Sequence, residues 1–93
     1  MRISRQQVAQ KIIDYLHHRI TFAELVDWAE SAMMEADFDE KDADLLKTIV
    51  ARIGLADVRA FGITWEDWED FLSRLGYRVS VTIFEVPAMA DSR

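Results

Sequence analysis

The sequence predicts a mainly α-helical domain of the α+β class, with four helices around one core and one β-strand near the C-terminus. Apolar residues recur at helical spacing through most of the first 75 positions. A residue that caps helices precedes each of four such stretches. After Gly76 the spacing changes to the alternation of a half-buried strand. Residues 1–93 are therefore expected to form a single small domain with one modest core.

Three of the helices are predicted to begin at a capping box, in which two side chains three residues apart bond each other's backbone N–H groups. These pairs are Ser4 and Gln7, Thr21 and Glu24, and Thr64 and Asp67, which begin helices at 5–18, 22–36 and 65–75. Asp39 is the expected cap of the remaining helix, 40–53. Gly54 predicts the end of that helix and Gly76 the end of helix 65–75, because glycine readily adopts the left-handed conformation of a C-cap.

Two apolar stripes show which helix faces should be buried. The stripe of helix 22–36 consists of Leu25, Trp28, Ala29, Ala32, Met33 and Ala36. Its alanines predict that another helix packs closely against it. On helix 65–75, Trp65, Trp68 and Leu72 share one face, which predicts that both tryptophans point into the core.

Residues 77–86 are predicted to form the strand, followed by a frayed tail at 87–93. An isolated strand leaves backbone N–H and C=O groups unpaired and therefore needs a partner. The chain itself offers residues 1–4 and 58–63, although residues 55–63 fit either a short helical turn or a short strand. The other candidates are a second copy of the chain across a two-fold axis and a strand of a different protein.

The net charge of −6 is unevenly distributed. Residues 20–73 carry fourteen acidic and four basic side chains, a net charge of −10. Residues 1–19 carry +3 and residues 74–93 carry +1. The central segment should repel phosphate backbones and attract cationic partners. An acidic helical surface also serves solubility, which is a competing explanation.

The absence of cysteine excludes disulfides, thiolate catalysis and cysteine-based zinc sites. The chain has no apolar run long enough to span a bilayer, and residues 1–11 lack the apolar core of a signal peptide. We therefore expect a cytoplasmic protein that does not bind a membrane.

The run from residue 65 to 70, WEDWED, is the strongest candidate for a site. Paired carboxylates can perform acid–base chemistry or hold a metal, and exposed tryptophans anchor interfaces. Capping by Asp67 and core packing by the tryptophans would explain most of the run structurally. An exposed Trp65 or Trp68 would instead make this face the first candidate for a binding surface. With the strand included, the candidate partner-binding residues are Trp65, Glu66, Trp68, Glu69, Asp70, Val79, Val81 and Ile83.

Three other patterns are weaker. The acidic stretch 37–44 lacks the glycine and the final glutamate of an EF-hand loop and fits a solvated loop better. His17 and His18 are adjacent, so on a helix they would point about 100° apart and suit one metal poorly. The first two helices suggest a helix-turn-helix, but the second would present acids to DNA.

The sequence thus predicts a non-enzymatic protein-binding module without a metal or cofactor. One version is an inhibitor or immunity-type protein whose acidic face blocks a basic partner. A homodimer through residues 77–86 is a second form of association. The alternatives are a small metal-dependent enzyme using Glu66, Asp67, Glu69 and Asp70, and a nucleic-acid regulator using the basic residues of the N-terminal segment. Those residues are Arg2, Arg5, Lys11 and Arg19.

Overall fold

The computed structural model describes residues 2–57 and 62–86, which are mostly helical and include a small parallel sheet. In chain order the elements are β1 (Arg2–Ile3), α1 (Arg5–Leu16), α2 (Phe22–Glu35), β2 (Asp37–Phe38), a 3₁₀ helix (Glu40–Asp42), α3 (Ala43–Gly54) and α4 (Trp65–Arg74). The four predicted helices are confirmed, with ends that move by at most three residues. Residues 1–4 were predicted only as a strand partner of residues 77–86, and the strand at residues 37–38 was not predicted.

All three predicted capping boxes are present. At α1, the backbone N–H of Gln7 donates to Ser4 Oγ at 3.3 Å, and the N–H of Ser4 donates to Gln7 Oε1 at 2.8 Å. The same reciprocal bonds begin α2 and α4. The start of α3 differs, because Asp39 accepts the N–H of Lys41 and so caps the 3₁₀ helix instead. The α-helix itself begins three residues later than predicted and has no side-chain cap.

Helices α1 and α4 end in the same backbone motif. In α4 the N–H of Gly76 donates to the carbonyl of Ser73, and the N–H of Tyr77 donates to the carbonyl of Leu72. This is a Schellman motif, and Gly76 takes its left-handed position with φ of 97°. In α1 the equivalent position is held by His18, with φ of 62°. Few residues other than glycine adopt this conformation without cost.

Gly54 does not cap α3, which corrects the prediction from sequence. The residue lies inside the helix and faces the backbone of α2. A Cβ atom added to Gly54 would lie 3.7 Å from Glu30 Cγ and 3.9 Å from the carbonyl carbon of Ala29. Glycine is therefore used here for close helix packing. Ala29 and Ala32 are fully buried, which confirms that the alanines of α2 let another helix approach.

Strands β1 and β2 pair in parallel, with Arg2 opposite Asp37 and Ile3 opposite Phe38. The N–H of Asp39 continues the pairing by donating to the carbonyl of Ile3 at 2.9 Å. Ile3 is consequently buried in the core beside α1, α2 and α3. The N-terminal segment thus pairs with residues 37–38 and not with residues 77–86, for which it was a predicted partner.

The predicted strand at 77–86 is not observed, since these residues adopt neither helix nor strand. Its second predicted partner, 58–63, lies mostly outside the described residues. Residues 55–57 form a turn, and the rest of the ambiguous segment up to residue 61 is likewise outside the described range, as is the predicted tail at 87–93.

Because His18 occupies a left-handed position, His18→Gly should stabilise the fold by about 0.5–1 kcal/mol. Glycine relieves the backbone strain of the folded state, and this gain exceeds the cost of the greater entropy that glycine gives the unfolded chain. His17 has a negative φ of −92°, so His17→Gly is the matched control and should be neutral or slightly destabilising. Urea denaturation measures both. Equal effects at the two positions would contradict the assignment of strain to His18.

Candidate protein-binding surface

Helix α4 is fixed to the rest of the fold by an aromatic cluster. The ring of Trp68 lies 5.4 Å from that of Tyr15 on α1 and 5.9 Å from that of Phe71, and Tyr15 also contacts Phe22 at 5.7 Å between ring centroids. These separations are typical of favourable tilted and edge-to-face ring pairs. Trp68 is only 5% exposed. It is therefore a core residue and does not belong to the accessible surface.

Trp65 lies one turn earlier on α4 and is not one of the paired rings of this cluster. Its side chain is 41% exposed, so the prediction that both tryptophans face the core is wrong for Trp65. Three acids are exposed on the same helix, namely Glu66, Glu69 and Asp70. We call Trp65 and these three acids the α4 face.

The four acids of α4 have different roles. The N–H of Thr64 donates to Asp67 at 2.9 Å, and Arg52 Nη2 lies 3.3 Å from the same oxygen. Asp70 pairs with Arg74 at 3.1 Å, an exposed pair that contributes little stability. Within the described residues, Glu66 and Glu69 form no ion pair.

Asp67 therefore serves the capping box and the contact with Arg52 of α3, and it does not form a site with the other acids. Thr64 is the main cause that lowers the pKa of Asp67, and Arg52 adds to the effect while partial burial opposes it. Across residues 2–57 and 62–86, no three acidic or histidine side chains are grouped so that they could hold a metal ion.

Residues 77–86 begin beside the α4 face and then leave the body of the fold. Val79 is half-buried against the core, and Glu69, Ser73 and residues 76–79 line one groove of about 410 Å³. The predicted site residues Glu69 and Val79 thus meet at one groove. Beyond Ser80 the apolar side chains are exposed: 62% for Val81, 90% for Ile83 and 75% for Phe84.

A second apolar surface was not predicted from the sequence. Met33, predicted in the buried stripe, is exposed together with Met34 and Leu55. They line a groove of about 360 Å³ with Gly54 and Glu30 at the ends of α2 and α3. The adjacent methionines were the one sequence signal, since a helix cannot bury two successive residues equally well.

The basic residues of the N-terminal segment are largely engaged within the fold. Arg5 contacts Asp42 at 2.8 Å, and this hydrogen bond is the main cause that raises the pKa of Arg5. Arg19 contacts Asp14 at 3.2 Å. Lys11 lies 5.7 Å above the ring of Trp28. These contacts weaken the case for a phosphate-binding surface made of the same side chains.

The part of the chain that the structure describes contains no helix that is both long and apolar enough to cross a membrane.

The two tryptophans of α4 should differ sharply in their contribution to stability. Trp68→Ala removes a buried ring and should cost roughly 3–5 kcal/mol of unfolding free energy. Trp65→Ala removes a ring that is only partly buried and should cost roughly 1–2 kcal/mol, clearly less than Trp68→Ala. Guanidinium denaturation followed by circular dichroism measures both. A large loss for Trp65→Ala would show that this ring supports the fold and is not free to bind.

The capping carboxylate Asp67 should make stability depend on acid. Its pKa is lower in the folded chain than in the unfolded chain, so its stabilisation is complete above the unfolded value of roughly 4 and is lost as pH falls through the folded value. Asparagine cannot ionise, so the free energy of unfolding of Asp67→Asn should fall less than that of the parent chain when the pH is lowered below about 4. Denaturation midpoints measured against pH test this, with Glu66→Gln as the exposed control. Parallel curves for the parent chain and Asp67→Asn would contradict it.

Comparison with known proteins assigns this surface to no family. The chain matches no protein-family model, no curated protein and no solved structure. The chemistry of the described residues is therefore the basis for a functional assignment.

Proposed function

We propose that this chain is a non-enzymatic protein-binding module whose α4 face binds a basic partner protein. The observation that carries the proposal is Trp65, which is 41% exposed on a helix whose other tryptophan is buried. Glu66 and Glu69 lie beside it without an ion pair among the described residues. An inhibitor or immunity-type protein that blocks a basic partner is the form of the function that we favour.

The chemistry of the α4 face suits a cationic surface. A tryptophan ring supplies a large, rigid contact area, and such residues are frequent hot spots of interfaces. The ring also attracts arginine or lysine side chains through its π face. Carboxylates around it would steer a basic partner and discriminate against acidic ones. The charge of −10 over residues 20–73 extends this attraction beyond the contact itself.

Residues 77–86 extend the same binding surface. They meet the α4 face at the groove shared by Glu69 and Val79, and Val81 and Ile83 continue from there as exposed apolar side chains. A segment outside helix and strand, with exposed apolar side chains, can become extended and add its backbone to a strand of another chain. The partner at this segment is either a different protein or a second copy.

The proposal accounts for the acids and bases better than its alternatives do. A metal-dependent enzyme on α4 would need Asp67, which already serves the capping box and Arg52. A nucleic-acid regulator would need Arg5 and Arg19, which already contact acids of the same fold.

Binding of a basic partner should be lost when the charge of the α4 face is reversed. The double variant Glu66→Lys, Glu69→Lys removes the attraction, and Trp65→Ala removes the anchor, which should weaken binding about 30-fold or more if Trp65 is a hot spot. The measurement is affinity capture from extract of the source cell by the immobilised chain, at increasing salt, with captured proteins identified by mass spectrometry.

The control changes the net charge by the same amount on a different face. Asp27→Lys, Glu35→Lys alters two exposed acids of α2. The parent chain and this control should capture the same basic protein at low salt and release it as salt rises, because screening weakens exposed charge interactions. Equal loss of capture by both double variants would contradict a specific role of the α4 face. Capture that does not change with salt would contradict it as well.

A further inference from the structure

The backbone N–H and C=O groups of residues 78–86 lack the hydrogen-bond partners that a β-strand has. The N–H of Tyr77 donates to the carbonyl of Leu72, but residues 78–86 make no backbone–backbone hydrogen bond with another described residue. The side chains of Val81, Ile83 and Phe84 are also largely exposed. A second strand beside this segment would pair its backbone groups and cover its apolar side chains.

We propose that this second strand is residues 77–85 of another copy of the chain, paired antiparallel about a two-fold axis through Val81. The inference rests on the proposed function only in taking residues 77–86 as a binding element, and it names their partner. An interface between identical patches closes after two copies and gives a dimer.

The sequence of the segment is self-complementary in this register. Residues that lie directly opposite each other in an antiparallel pair have side chains on the same face. The opposed pairs are Val81 with Val81, Val79 with Ile83, Ser80 with Thr82, Arg78 with Phe84, and Tyr77 with Glu85. Apolar side chains therefore meet on one face and hydroxyls meet on the other. The remaining two pairs match a cation with a ring and a carboxylate with a phenol.

Other registers are worse, either because they pair less of the segment or because of its two charges. A two-fold axis at Ser80 opposes no like charges, but it pairs only residues 77–83 and leaves residues 84–86 without a partner. A two-fold axis at Arg78 or at Glu85 would oppose like charges, which destabilises a strand pair. An axis at Thr82 would place Val79 opposite Glu85. An axis between two residues would set the apolar face of one strand against the polar face of the other. The axis at Val81 avoids all of these conflicts and uses the whole segment.

The half-buried Val79 indicates which face of the strand pair would turn inward. Val79 packs against the core, and in an extended strand Val81 and Ile83 share its face. The apolar row would thus continue from one core, across the axis, to the other. Each copy brings one positive and one negative charge, Arg78 and Glu85, to the strand pair, so the strand pair itself is neutral. Residues 20–73 of the two copies are acidic and repel each other. Salt should therefore strengthen this dimer, which is opposite to its effect on a basic partner.

Cysteine cross-linking tests the register in the full chain, which has no cysteine of its own. Val81→Cys should place two thiols on Cα atoms about 5 Å apart, within disulfide range. Ile83→Cys is the matched control, because its Cα atom should lie roughly 14 Å from its own copy across the axis. Mild oxidation followed by non-reducing electrophoresis should yield a covalent dimer for Val81→Cys and at least about tenfold less for Ile83→Cys.

Random collisions would give the opposite result, because Ile83 is more exposed than Val81. Equal cross-linking of both variants, or faster cross-linking of Ile83→Cys, would overturn the register. Sedimentation equilibrium of the parent chain should show a dimer that increases with salt. Val81→Lys should raise its dissociation constant about tenfold or more, because both copies lose an apolar contact and gain opposed ammonium groups. A parent chain that remains monomeric at all concentrations and salts would refute the proposal.

This outcome is separable from that of the proposed function. A monomer that still captures a basic protein through the α4 face would refute the strand pairing alone. A salt-strengthened dimer that cross-links at position 81 and captures no basic protein would support the pairing and refute the basic partner.

Discussion

The contact between Trp68 and Tyr15 is the interaction on which the position of α4, and with it the proposed binding surface, depends. Helix α4 has only ten residues, and a helix of that length is marginal in water without tertiary packing. Its burial comes from Trp68, Phe71 and Leu72, with Trp68 seated against the ring on α1. Once α4 is placed in this way, Trp65 is left partly exposed and Asp67 lies within reach of Arg52. The position of α4 also determines where the segment after Gly76 leaves the fold.

Features that depend on residues three or four apart were the most predictable. The capping boxes are read directly from pairs such as Thr64 and Asp67, because both partners lie in one helical turn. Glycine was harder, since Gly54 and Gly76 are each followed by an apolar residue after an amphipathic helix. Only Gly76 has the left-handed backbone, while Gly54 serves the approach of α2. The difference lies in a helix that is more than twenty residues distant in the sequence, which a local pattern cannot reveal.

The candidate site shows a similar limit. Sequence placed Trp65 and Trp68 on one face, and their spacing of three residues does put them near each other. Which of them reaches the core is decided by Tyr15, on a different helix. The pairing of Arg2–Ile3 with Asp37–Phe38 was missed because two residues are too few to show an alternation. The alternation after Gly76 was visible, but among these apolar residues only Val79 is packed against the core. Periodicity therefore predicted a strand that has no strand partner among the described residues.

The late position of α4 in the chain has a consequence for folding on the ribosome. Helices α1, α2 and α3 and the β1–β2 pair can all form once residue 54 has emerged, because their partners lie among the first 54 residues. Tyr15, which pairs with Phe22, then lacks the ring of Trp68 until α4 has been synthesised. For that interval the nascent chain presents an aromatic surface of the kind that chaperones bind. Once α4 has formed, Trp68 covers Tyr15, and Trp65 is the tryptophan of α4 that stays exposed.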